Sequence, residues 1–126
     1  MPTTKEIGDQ GENEALKYLE SQGYRILERN YKIKKGETVI GELDIISKKA
    51  GDLIFIEVKS RFGKNDCYSP FDNITDQKRN KLLKLARFYI KTKKIALDSP
   101  YQIDVIAVEI NDQEKSKIEH LEKAVY

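Results

Sequence analysis

Two short stretches hold the side chains with the most evident chemical capacity, GELDII from Gly41 to Ile46 and IFIEVKSR from Ile54 to Arg61. Alternate side chains of a strand share a face, so Ile54, Ile56 and Val58 point one way and Phe55, Glu57 and Lys59 the other. Glu42 and Asp44 point together by the same rule. If the two strands close as a hairpin with Lys48 opposite Leu53, Asp44 falls opposite Glu57 and Glu42 opposite Lys59. Carboxylates facing each other in this way repel by about 4 kcal/mol at roughly 4 Å and an effective dielectric of about 20, which destabilises a ladder. A hard divalent cation, Mg²⁺ or Mn²⁺, held by one or two carboxylates, a carbonyl and waters, would remove that repulsion and leave room for phosphate oxygens. Lys59 at the edge of the cluster suits stabilising charge on a pentavalent phosphate or orienting an attacking water. An isolated E-x-K is a common surface ion pair worth about 0–1 kcal/mol. What favours a site is that Asp44, Glu57 and Lys59 share one face of adjacent apolar strands and that a basic helix follows.

The elements that must position these residues are legible from pattern. Thr3 or Thr4 caps a helix to about Gln22, and Gly23 supplies its left-handed stop. The stripe Gly8, Glu12, Ala15 and Leu19 places the Glu12 carboxylate beside the face that meets the sheet. Tyr24 to Ile33 reads as a strand, Lys34 to Glu37 as a turn, and Val39–Lys48 and Asp52–Ser60 as strands joined through Lys49, Ala50 and Gly51. Residues 62–73 read as a long irregular loop. Thr75 caps a second helix to about Lys93 with the inner stripe Lys78, Leu82, Leu85 and Tyr89, flanked by Ala86 and Ile90. Tyr101 to Ile110 reads as a last core strand, and 111–126 as a weakly structured tail. Within that reading Asp104 is a fold residue, His120 a solvated tail residue and Cys67 a plain loop thiol.

Composition bounds the function classes. A chain of 126 residues makes one domain, with no room for a second independent core. The lack of an apolar run approaching the roughly 18–20 residues that span a bilayer predicts a soluble, cytoplasmic protein with no membrane partner. One cysteine and one histidine exclude an internal disulfide and a zinc site of Cys and His, so a metal in the acidic cluster would be held by oxygen. The net charge of +2 hides a division along the chain. Residues 59–94 carry eleven Lys or Arg against three Asp, a local balance of +8, while 1–23 balance to −3 and 98–126 to −4. A cationic segment of that kind is the footprint of a phosphate-contacting face, or of a plain solvated helix.

The motifs resemble a known family. GELDII and IFIEVKSR look like the D-x(n)-E-x-K signature of PD-(D/E)xK nucleases, without a proline before Asp44. With GxxGExxA from Gly8 to Ala15, RN-Y from Arg29 to Tyr31, TDQK from Thr75 to Lys78 and DVIAV from Asp104 to Val108, the chain is similar to the YraN-type family of endonuclease-like bacterial proteins. The resemblance implies an α/β, restriction-endonuclease-like core like that of Holliday junction resolvases, with a central mixed sheet of four to five strands flanked by helices. It implies Asp44, Glu57 and Glu12 as metal ligands and Lys59 as the catalytic lysine, with Glu42 a less certain neighbour. It also places Gln77 or Lys78 near the site, inner-stripe geometry favouring Lys78, while the cationic segment 59–94 gives Arg61, Lys84 and Arg87 to nucleic-acid contact. The expected function is Mg²⁺- or Mn²⁺-dependent hydrolysis of phosphodiester bonds in nucleic acid, DNA first, by a monomer or by a homodimer that cuts two strands. The alternatives are a nucleic-acid-binding module that keeps the fold without useful turnover, and a protein-interaction domain.

Overall fold

Thr3 opens the first helix, α1 (Thr4–Ser21), through a capping box: its hydroxyl accepts from Glu6 N–H at 3.1 Å and the Glu6 carboxylate accepts from Thr3 N–H at 3.3 Å. Gly23, at φ +88°, closes α1 as a Schellman turn, with Tyr24 N–H donating to Leu19 O and Gly23 N–H to Glu20 O. The structure is a computed structural model that describes residues 2–63, 74–96, 98–113 and 115–125. After α1 come β1 (Arg25–Lys35), β2 (Thr38–Lys49), β3 (Asp52–Phe62), α2 (Asp76–Thr92), β4 (Tyr101–Ile110) and β5 (Ser116–Val125). No helix among the described residues is long and apolar enough to cross a membrane.

The strands form one mixed sheet in the order β1-β2-β3-β4-β5. Only β3 and β4 run parallel, and the crossover between them carries α2. Ala50 and Gly51, at φ +51° and +85°, make the two-residue turn between β2 and β3, a pair of left-handed conformations that matches strand twist. That turn sets the expected register, with Lys48 paired to Leu53.

Each helix covers one face. α2 buries Leu82, Leu85, Ala86, Tyr89 and Ile90 against Leu53, Phe55, Ile103 and Val125. On the other side Ala15 and Leu19 of α1 pack on Ile45, Ile54, Ile56, Ile106 and Val108. Each fully buried large aliphatic side chain contributes about 1.5–3 kcal/mol, so the buried run Leu53 to Ile56 anchors β3 and leaves its half-buried second half, from Glu57 on, for the site. The α1 stripe is corrected at one position. The glycine against the sheet is Gly11, where a Cβ would lie 1.7 Å from Ser60 Oγ, whereas a Cβ at Gly8 would meet nothing within 4 Å.

Two further corrections concern the C-terminal third. Within the expected weak tail at 111–126, residues 116–125 form a strand, because β4 is buried on both faces and needs a partner on its outer edge, which β5 supplies with Ile118 and His120 turned inward between exposed neighbours. Asp104 is therefore interior and His120 part of the sheet, with its side chain 9% exposed. The expected loop at 62–73 begins one residue late, since Phe62 still pairs with Ile110. Its remainder, residues 64–73 with Cys67, lies outside the described residues.

Candidate metal centre and its basic flank

The backbone opens where the acids stand. Pairing between β2 and β3 runs from Lys49/Asp52 to Ile45/Ile56, and just beyond it the Val58 N–H donates to Asp44 Oδ2 at 2.9 Å instead of to the neighbouring strand. On the other side of β2, Asn30 sits in mid-strand at φ +49°, a conformation Asn tolerates better than other side chains and one that tends to mark functional sites. With its amide nitrogen turned inward, Asn30 donates to Glu12 Oε1 at 2.7 Å and to Glu42 Oε1 at 3.2 Å. Glu12 gets there because Gly11, one residue earlier, lets α1 approach Ser60 closely.

The side chains then meet. Asp44 and Glu57 stand close enough for the Asp44 charge to act on Glu57. Burial, and then the Asp44 charge, push Glu57 up to about 7, against the pull of Lys59 and Lys78. Burial also raises Asp44, opposed by the Val58 N–H, and it raises Glu12 together with the charge of Asp44, while Arg29 pulls Glu12 the other way. Lys59 is brought down to about 8 by burial and by the adjacent positive charge of Lys78. The expected quartet Glu12, Asp44, Glu57 and Lys59 is thus one electrostatic unit, with Glu42 at its margin.

The expected nucleic-acid contacts divide. Lys78 joins the cluster from the first turn of α2, held by the cap in which its N–H donates to Thr75 Oγ1 at 3.2 Å. Gln77 is exposed on the same turn. Arg61 lies further along β3 in an ion pair with Glu109 at 2.9 Å. Lys84 and Arg87 follow Lys78 by roughly 9 and 14 Å along the helix axis. Arg87 lines a cleft with Asp52 and Tyr101 at the opposite end of the strands, about 23 Å from Lys59 at an ordinary strand rise. Sequence reasoning missed Asn30 and Arg29 as neighbours of Glu12. The available signal was an asparagine inside a β-branched and aromatic run, where strand propensity disfavours it.

Comparison with known proteins bears on this arrangement. The model of "Uncharacterised protein family UPF0102" matches residues 11–108, from the glycine that admits Glu12 to the end of DVIAV. The chain belongs to the UPF0102 family. Among its relatives, a UPF0102 protein of Clostridium botulinum is 44% identical over 108 residues, 85% of this chain and 82% of that one. UPF0102 proteins of Clostridioides difficile and Thermodesulfovibrio yellowstonii are 40% and 42% identical, each covering about 95% of both chains. The solved structure of Pyrococcus furiosus SfsA in complex with Ca²⁺ matches 91% of this chain and 60% of that one, at 19% identity and a TM-score of 0.36, too loose a likeness to carry an argument.

Proposed function

We propose that this UPF0102 protein is a Mg²⁺- or Mn²⁺-dependent nuclease that hydrolyses phosphodiester bonds of DNA. The observation that carries the reading is the convergence of Asp44, Glu57 and Glu12, at the point where the β2–β3 ladder opens, with Lys59 and Lys78 alongside. The donor set fits a hard divalent ion, because it is all oxygen, partly desolvated, and its three carboxyls are all pushed toward the protonated form by burial and by neighbouring carboxylates. Asp44, Glu57 and Glu12 would hold that ion, which when bound makes a coordinated water more acidic and draws charge off the phosphate.

The rest of the chemistry belongs to the chain. Asn30 fixes Glu12 and Glu42 by two donated hydrogen bonds, so the first-helix acid arrives oriented. The Val58 N–H occupies one Asp44 oxygen and leaves the other toward Glu57. Lys59, brought down to about 8, is poised to hold or release a proton at Nζ near neutral pH, a range suited to orienting water and stabilising developing phosphate charge. Lys78 adds a second donor for phosphate oxygens, and the exposed cations of α2 extend that contact along a backbone.

Incubation of the purified chain with linear, nicked and four-way DNA and Mg²⁺ or Mn²⁺ tests the assignment. Cleavage should fall at least about a hundredfold in Asp44→Ala and Glu57→Ala. Cleavage that persists unchanged in both variants shows a contaminating activity and removes the assignment. Salt-sensitive DNA binding without divalent-dependent cleavage would favour a binding module instead.

A further inference from the structure

On the α1 side of the sheet, away from the acidic centre, a second group of ligating side chains converges. Asp104 is fully buried on β4 opposite an irregularity in β5, where pairing passes from Ile103/Val125 directly to Val105/Leu121 and leaves Glu122, Lys123 and Ala124 over Asp104 alone. Lys123 takes φ +51° there. A bulge of this kind re-aims side chains, and here it brings Glu122 toward Asp104 and His120. One ligand atom from each of Asp104, His120 and Glu122 lies within 4.8 Å of the others.

The hydrogen bonds around these atoms are divided in a particular way. Asp104 Oδ1 is fully engaged from behind, by Gln102 Nε2 and the Lys123 N–H, both at 2.9 Å. His120 Nδ1 is engaged on its far side by the Tyr18 hydroxyl at 2.9 Å. That leaves Asp104 Oδ2 and His120 Nε2 facing each other at 2.7 Å with one proton between them, and the Glu122 carboxylate beside them. Outer donors that fix a carboxylate and an imidazole from behind while their inner atoms converge are the second shell of an imidazole–carboxylate metal site. The group is also reachable. His120 and Glu122 line a cleft of about 290 Å³ with Tyr18, Gln22, Tyr24 and Lys49, and the Lys49 ammonium is parked over the Tyr24 ring at 4.5 Å.

We propose that Asp104, His120 and Glu122 form a binding site for a borderline transition-metal ion of the Zn²⁺ class, separate from the oxygen-only centre at Asp44 and Glu57. The mixed nitrogen and oxygen set, with an imidazole, selects Zn²⁺ or Co²⁺ over Mg²⁺. Tetrahedral coordination at about 2.0–2.2 Å puts ligand atoms about 3.3 Å apart. Asp104 and His120 then open by about 0.6 Å, and Glu122, on the exposed edge, swings in by at most about 1.5 Å. Protons balance without a net release. The Nε2 proton of neutral His120 is replaced by the metal, Nδ1 takes up a proton, and Nδ1–H donates to the Tyr18 oxygen, whose own hydroxyl proton turns into the cleft. The fourth position faces the cleft and is left to water.

Titration of chelator-stripped full-length protein with Co²⁺, followed by visible absorption and by competition with Zn²⁺, tests the site. One equivalent should bind with the intense visible band of tetrahedral Co²⁺, and the band should survive in Asp44→Ala, which dismantles the other centre. His120→Ala should abolish it. Glu122→Gln, at an exposed position where the fold is safe, and Tyr18→Phe should each weaken binding at least about tenfold. A missing band, a band lost in Asp44→Ala, or equal affinity in the wild type and Glu122→Gln overturns the proposal. An excess of Mg²⁺ should leave the band unchanged, and its loss to Mg²⁺ would count equally against the site.

Discussion

The two titratable clusters of this sheet are built on opposite electrostatic terms. Around Asp44 and Glu57 like charges are pressed together, the backbone ladder gives way, and both carboxyls are driven toward the protonated form. Around Asp104 a carboxylate that lies deeper still accepts from Gln102, Lys123 and His120. Burial by itself therefore does not mark a reactive acid. The difference is whether the surrounding residues complete the hydrogen bonding of the charged form or oppose it.

The contrast makes opposite mutational signs its sharpest test. Asp104→Ala strips three part-buried donors of their fully buried acceptor at once and should cost about 3–5 kcal/mol, read as a large fall in the urea midpoint. A change under about 1 kcal/mol would mean that this cluster is not holding β5 in place.

Glu57→Gln should go the other way. The folded-state carboxyl titrates near 7, above its ordinary 4.5, so the folded state holds the proton more tightly than the unfolded chain. Wild-type stability is then full below about pH 4.5 and is lost as pH rises through 7, and at pH 8, without divalent ions, the loss amounts to roughly 2–3 kcal/mol. The Gln variant should lack that fall between pH 5 and pH 8, and an identical fall in both proteins would refute the frustrated character of the acidic centre.

The smallest effect should come from Gly11→Ala. The new methyl must displace Ser60, at a cost of about 1–2 kcal/mol, partly offset by a helix-propensity gain of up to about 1 kcal/mol. Because Gly11 precedes Glu12, DNA cleavage should drop more than stability does. Equal activity would show that the placement of Glu12 does not depend on this contact.

How much of this was legible in the sequence depended on how local the cause was. Thr3, Gly23 and the Ala50-Gly51 turn act within a few residues, and they gave α1 and the β2–β3 register directly. Asp44, Glu57 and Lys59 were readable because period-two geometry and one register assumption suffice to align them, whereas Glu12 needed the α1 stripe and the family resemblance. Strand β5 was not, since an edge strand alternating Ile118 and His120 with Lys117 and Glu119 carries too little apolar signal. Asp104 and His120 lie 16 residues apart and meet only once that edge has paired. Asn30 lies within the RN-Y motif, yet its role arises only once α1 and β2 have folded against β1. Gly8 was preferred to Gly11 because spacing reveals a face but not where along it the sheet comes nearest.

The Val58 amide has one more implication. Its proton is held inside a sheet by a side chain of the adjoining strand and not by a backbone carbonyl, so its exchange with solvent is sensitive to the charge on a single carboxylate. That makes one backbone resonance a built-in spectroscopic gauge of whatever occupies the acidic centre, readable with no label and no substrate.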